Sequence, residues 1–237
     1  KKPFDYPKSI NLIERCISLG SENNSIILDF FSGSATTAHA VMQLNAEDNG
    51  NRKFIMVQLP EKTEEDSDAY KAGYKNICEI GKERIRRAGD KIKAENPDKD
   101  IDIGFKVFKL DTSNLKKWNN APTKDADEVA KRIQLSLDYL EANRTELDLI
   151  YEVMLKYGLD LTLPITKSAN GKAYIVNGED YKLLVCSEMN ITLEDIESFA
   201  NESVGTYLFA DRCFSTDNLL INAEEILKSR NKEMRLF

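Results

Sequence analysis

One run of sixteen residues, Ile26 to Val41 (IILDFFSGSATTAHAV), constrains the fold of this chain most. Ile26-Ile27-Leu28 is a short apolar stretch of the kind found in a strand covered on both faces. An acid, Asp29, ends it, a small-residue turn Ser32-Gly33-Ser34-Ala35 follows, and a helix is expected from Thr36 to Leu44. Lys53 to Leu59 (KFIMVQL) reads as a second strand, stopped by Pro60. Strand, turn, helix and strand in this order point to a parallel sheet in an α/β fold. They place a ligand at the carboxyl end of the first strand, facing backbone N–H groups and a helix N-terminus.

The turn is neither the dinucleotide pattern G-x-G-x-x-G nor a P-loop, because it lacks the P-loop lysine. A nicotinamide-dependent oxidoreductase is therefore a weak reading. Gly33 allows close backbone approach or a positive φ. Gln58, at the tip of the second strand, stands where a ribose is gripped in doubly wound sheets, with an amide in place of the usual carboxylate unless Glu61 takes that role.

Around this core the periodicity predicts a helix over Ser9 to Leu19 and another over Tyr74 to Lys93. The second carries Ile77, Ile80, Ile85 and Ile92 on one side, with Gly89 and Asn96-Pro97 marking its end. Glu61 to Asp68 reads as a surface loop, and the alternating Phe105 to Leu110 as a half-buried strand. Beyond Asp111 the character changes. Leu115 to Asp125, with Trp118 and Pro122, reads as a linker, followed by helices over Ala126 to Ala142 and Glu146 to Tyr157. Thr145 with Asp148 forms a capping-box pattern, as does Thr192 with Asp195 before a short helix. Ala173 to Val176, Asn177-Gly178 and Tyr181 to Cys186 predict a hairpin. Thr206 to Ala210 reads as a strand and Asn218 to Lys228 as a helix. The expected domains are thus 1–111, a linker over 112–125, and 126–237.

Composition excludes several classes. Of 237 residues, 41% are hydrophobic and 31% charged, the balance of a folded chain rather than a disordered one. No apolar run is long enough for a transmembrane helix and no secretion leader is visible, so the expected location is cytoplasmic, with no membrane partner. Cys16, Cys78, Cys186 and Cys213 lie far apart, and with a single His39 they match no zinc spacing. His39 reads as a packing residue rather than a catalytic one. The net charge is −7, with 16 basic against 17 acidic residues up to position 100 and 17 against 23 beyond it. A chain that grips nucleic acid by itself would carry a basic surface. The basic stretch Lys82 to Lys93 reads as a solvated helix face.

Taken together, FDYPKS (Phe4 to Ser9), LDFFSGSATTAHAV (Leu28 to Val41), KFIMVQLPE (Lys53 to Glu61) and ICEIGKERIRRAG (Ile77 to Gly89) resemble the β-type DNA adenine-N6 methyltransferases. GFKVFKLDTSNLKKW (Gly104 to Trp118) and LIYEVMLKYGLDLTLPI (Leu149 to Ile165) extend the resemblance to the C-terminal part of the modification (Mod) subunit of type III restriction–modification systems. The resemblance implies a Rossmann-like sheet binding S-adenosyl-L-methionine, followed by a small α+β C-terminal domain. It implies that Pro7, Lys8 and Ser9 lie near the methionine end of the cofactor. Asp29, Phe31, Gly33, Ser34 and Thr36 would form the cofactor loop, and Gln58 would sit at the ribose.

Two positions depart from the family pattern: Phe30 replaces a common proline, and Ala35 the second glycine of G-S-G. Alanine there is expected to keep a negative φ or to relax the loop. Methyl transfer to an exocyclic amine needs a flipped base, held in this family by an Asp-Pro-Pro-Tyr type motif. The six prolines, Pro3, Pro7, Pro60, Pro97, Pro122 and Pro164, are isolated, so no such motif occurs in this sequence and no catalytic residue is expected in it. In the family's permuted order that motif and the target recognition domain lie upstream. DNA, a second Mod copy and the restriction (Res) subunit are the implied partners. Alternatively, the acidic C-terminal half serves mainly in dimerisation or Res docking.

Overall fold

The computed structural model describes residues 8–115, 141, 143–179 and 181–237. Pro7, the greater part of the expected linker with Trp118 and Pro122, and all but one residue of the helix expected over Ala126 to Ala142 lie outside these. The protein is mixed α/β and divides into two compact units, residues 1–107 and 108–237. Among the described residues no helix is long and apolar enough to cross a membrane.

In the first unit the order is α1 (Ile10–Gly20), β1 (Ile26–Asp29), α2 (Thr36–Asp48), β2 (Lys53–Met56), α3 (Asp68–Lys71) and α4 (Ile77–Glu95). Strands β1 and β2 are parallel, in a register that pairs Ile26 with Lys53 and Asp29 with Met56. Helix α2 is the centre of the unit. Its Ala40, Val41 and Leu44 meet Ile17 of α1, while Ala38, Met42 and Ala46 meet Ile85, Ala88 and Ile92 of α4. Alanines at these positions let helices approach on two sides, which explains why α2 is buried nearly all round.

A buried guanidinium fixes the α2–β2 turn. Arg52 makes paired contacts to Asp48 at 3.1 and 2.8 Å and also reaches Asn23 at 2.8 Å. Its hydrogen bonds hold the Asp48 carboxyl below its ordinary range.

Several sequence expectations change here. Strand β1 alternates in burial rather than being covered on both faces; Ile26 and Leu28 are more than half exposed while Ile27 joins the α1–α2 core. Helices cover one face of this pair among the described residues. Phe105 to Leu110 is not a strand. Its alternation comes from single anchors: Phe105 packs beside the α2–α4 core, and Phe108 meets Tyr151 edge-on at 4.9 Å within the second unit. Gly89 does not end a helix; it lies inside α4, where a Cβ would come within 3.0 Å of Ile103.

The second unit runs α5 (Glu146–Lys156), β3 (Ile165–Lys167), β4 (Tyr174–Asn177), β5 (Lys182–Cys186), α6 (Leu193–Ala200), β6 (Thr206–Phe209), α7 (Asp217–Ser229) and β7 (Glu233–Leu236). The sheet order is β3-β4-β5-β6-β7, antiparallel through β5 and parallel from β5 to β7. Alternate residues serve two cores. Leu184, Tyr207 and Phe209 pack on α6 and α7 through Ile196, Phe199 and Leu227. Leu183, Val185 and Leu208 pack on α5 through Leu149, Ile150 and Val153. The apolar run in β5 reflects this double coverage. Both expected capping boxes form, at Thr145 with Asp148 and at Thr192 with Asp195. The hairpin is β4–β5; strands β3 and β7 were not foreseen.

Candidate functional site

The loop between β1 and α2 is built by hydrogen bonds from both strand tips. Asp29, the last residue of β1, accepts from Thr37 Oγ1 at 2.6 Å and from the Phe31 N–H at 3.3 Å. Thr37 is one residue into α2, so this bond ties the strand end to the helix start. Across the sheet, Val57 N–H donates to the Asp29 carbonyl at 2.8 Å and Ser32 N–H donates to the Val57 carbonyl at 3.2 Å. Gln58 Oε1 accepts from the Gly33 N–H at 2.8 Å. The tip of β2 is thereby bound to the loop that follows β1.

Two residues of the loop are left-handed: Gly33 at φ +52° and Ala35 at φ +59°. Glycine adopts this region at no steric cost, whereas an L-residue with a Cβ is disfavoured there by roughly 1–2 kcal/mol. The expectation of a negative φ at Ala35 is therefore overturned: the loop keeps its glycine-like shape on an alanine. Ala35 is also the N-cap of α2 and supplies no side-chain cap, which leaves the helix start facing the loop without a capping group.

The third support comes from α4. Arg84 Nη1 donates to Ser34 Oγ at 2.8 Å and to Thr36 Oγ1 at 2.7 Å, two hydroxyls on residues that are each 5% exposed. Among the described residues no carboxylate pairs with this guanidinium, and burial lowers its pKa. Sequence reasoning assigned Arg84 to a solvated face; the contact spans about fifty positions and has no local signal.

Of the predicted site residues, the structure brings Asp29, Gly33, Ser34, Thr36 and Gln58 into one bonded cluster. Phe31 joins it through its N–H; the residue is 78% exposed, its ring tilted against Phe30 at 5.3 Å between centroids. Lys8 and Ser9 are exposed residues just before α1; no hydrogen bond joins them to the loop among the described residues. Pro7 lies outside those residues. Beyond Pro60, a shallow groove of about 400 Å³ is lined by Lys62, Thr63, Tyr70, Lys75 and Asn76.

His39 lies on α2, half-buried. Burial, then the charges of Arg84 and Lys91, lower its pKa from the ordinary 6.5. The folded state thus disfavours its protonation, so stability is fully present above pH 6.5 and declines as pH falls toward the lower folded pKa. Urea midpoints measured at neutral and mildly acidic pH should fall less in His39→Asn than in the parent. Identical declines in both proteins would refute this.

Comparison with known proteins adds the following. The family described as DNA methylase matches residues 1–90. The Mod subunit of the type III restriction–modification enzyme StyLTI of Salmonella typhimurium is 46% identical over 109 residues, covering 46% of this chain and 17% of that protein. The EcoP15I Mod subunit of Escherichia coli is 35% identical over 183 residues, 76% of this chain and 26% of that protein. The type II methyltransferase M.KpnI of Klebsiella pneumoniae is 39% identical over 89 residues, 38% of this chain and 21% of that protein. These alignments thus span about a quarter or less of each relative's own length. The bonded loop of the first unit lies wholly inside the matched region. Residues 1–90 match the DNA methylase family, and the chain is similar to the type III Mod subunits.

Proposed function

We propose that this chain carries the S-adenosyl-L-methionine site of a Rossmann-like methyltransferase domain. The complete protein then methylates adenine N6 at specific DNA sites as a type III Mod subunit. The observation that carries this reading is the double tether of the loop, Asp29 to Thr37 and Gln58 to Gly33, at the carboxyl ends of two parallel strands. That is where ligands bind in open α/β sheets.

The residues present fit the cofactor. The uncapped start of α2 suits its carboxylate, and the exposed ring of Phe31 offers a stacking face for a purine. Asp29 orients the loop rather than the substrate. Gln58 Oε1 accepts from Gly33, and its amide N–H, part of which already reaches the Leu59 carbonyl at 3.3 Å, can donate to a ribose hydroxyl. Lys8 and Ser9, with Pro7, are proposed at the methionine end. The bound cofactor supplies the activated methyl group; this chain's residues hold and orient it.

Residues 1–111 are proposed as the cofactor half of the domain and 126–237 as the C-terminal domain. DNA, a second Mod copy and the Res subunit are proposed partners of the complete protein. A second reading, assembly by the C-terminal domain, draws on its acidic balance and on a sheet whose two faces are both filled by its own helices.

Titration calorimetry of the chain with S-adenosyl-L-methionine is expected to give saturable binding displaced by S-adenosylhomocysteine and not by NAD. With no Asp-Pro-Pro-Tyr type motif in its sequence, the chain alone should deposit no methyl groups on DNA. Preference for NAD, or adenine methylation by this chain unaided, would overturn the reading.

A further inference from the structure

We infer that Arg84 is a positioning residue that does for Ala35 what a glycine would do by itself: it holds the loop in its left-handed shape. Three observations meet here. Ala35 sits at φ +59° although it carries a Cβ. The residues on either side of it, Ser34 and Thr36, are buried and turn their hydroxyls to one nitrogen, Arg84 Nη1, at 2.8 and 2.7 Å. The Ala35 N–H closes the turn onto the Ser32 carbonyl at 2.7 Å. A single guanidinium nitrogen thus pins both neighbours of the strained residue, and the geometry it fixes is the one that aims the loop and the α2 N-terminus at a ligand.

Charge adds to the case. A half-buried cation with no carboxylate partner among the described residues is costly unless its donors find acceptors, and here two are hydroxyls of the loop. Relief of a left-handed alanine and the clamp that offsets it should therefore be coupled: with glycine at position 35 the clamp has little left to do. Residues acting on one local conformation are where additivity fails.

The inference rests on the cofactor reading for its consequence, and a double-mutant cycle separates the two. S-adenosyl-L-methionine affinity is measured by calorimetry for the chain and for Arg84→Met, Ala35→Gly and the double variant. Amide exchange at Gly33 and Ala35 is followed in the same four proteins. Arg84→Met should weaken binding about tenfold, the scale set by one left-handed alanine, and speed exchange at both amides. In the Ala35→Gly background the same change should cost at most about threefold, by the same reckoning. Arg84→Lys, a cation without the planar fork, should restore part of the loss.

Equal losses in both backgrounds, or no loss in the alanine background, would overturn the clamp. If the parent chain binds no cofactor, the cofactor reading fails, and the exchange rates alone decide whether Arg84 holds the loop. Should Arg84→Met unfold, Arg84→Lys in the two backgrounds supplies the cycle.

Discussion

Asp29→Ala is expected to destabilise the first unit by about 2–3 kcal/mol, as loss of a hydrogen-bonded charge does, and to weaken S-adenosyl-L-methionine binding well beyond tenfold. The carboxylate takes the Thr37 hydroxyl at 2.6 Å and the Phe31 N–H at 3.3 Å, and both donors lose their acceptor together. Thr37 is 9% exposed, so water replaces the lost partner poorly. With the strand no longer tied to α2, the loop must be ordered by the cofactor itself, and that ordering subtracts from affinity. Asp29→Asn separates the two bonds. Its oxygen can serve Thr37, but its amide then turns a donor toward the Phe31 N–H, so an intermediate loss follows. Urea unfolding and calorimetry of the three proteins test this. An Asp29→Ala chain that binds within twofold of the parent would refute the orienting role.

The first unit was legible in the sequence where the signal is local. Ile26 to Asp29, the small-residue turn and the alanine-rich helix after it form one continuous pattern, and both capping boxes are read within four residues. Reading failed where the deciding partner is distant. Phe105 to Leu110 alternates like a strand, yet alternation specifies a ladder only when a neighbouring strand is there to pair. Strand β7 (Glu233–Leu236) shows the converse. Its alternation, Met234 and Leu236 beside Glu233 and Arg235, is too short to mark a strand, and it exists because β6 offers it a parallel edge, from Thr206 to Phe209. Ala35 was misread for the same reason. Local propensity argues against a positive φ for alanine, and the contacts that hold it come from Arg84, nearly fifty positions away. Gly89 was read as a stop signal, although in α4 it is a small residue that makes room for Ile103.

The largest loss of stability is expected in the other unit. Phe199 is fully buried on α6, its ring 6.0 Å from that of Phe209, and its carbonyl accepts the Tyr207 hydroxyl at 2.9 Å. Phe199→Ala should cost about 3–5 kcal/mol, the transfer loss plus a cavity bounded by Ile196, Tyr207 and Phe209. The backbone bond to Tyr207 survives the truncation, so the cost is one of packing rather than of hydrogen bonding. For a unit of this size each kcal/mol moves the midpoint by several degrees, which predicts a fall on the order of 10–20 °C. Because residues 1–107 have their own core around α2, that transition should split from the one reporting the first unit. Circular dichroism melts of Phe199→Ala should then show two steps, with S-adenosyl-L-methionine raising only the upper one. A single cooperative step that the cofactor raises as a whole would mean that the two units fold as one. It would also place the acidic second unit within the stability of the cofactor site, rather than in assembly alone.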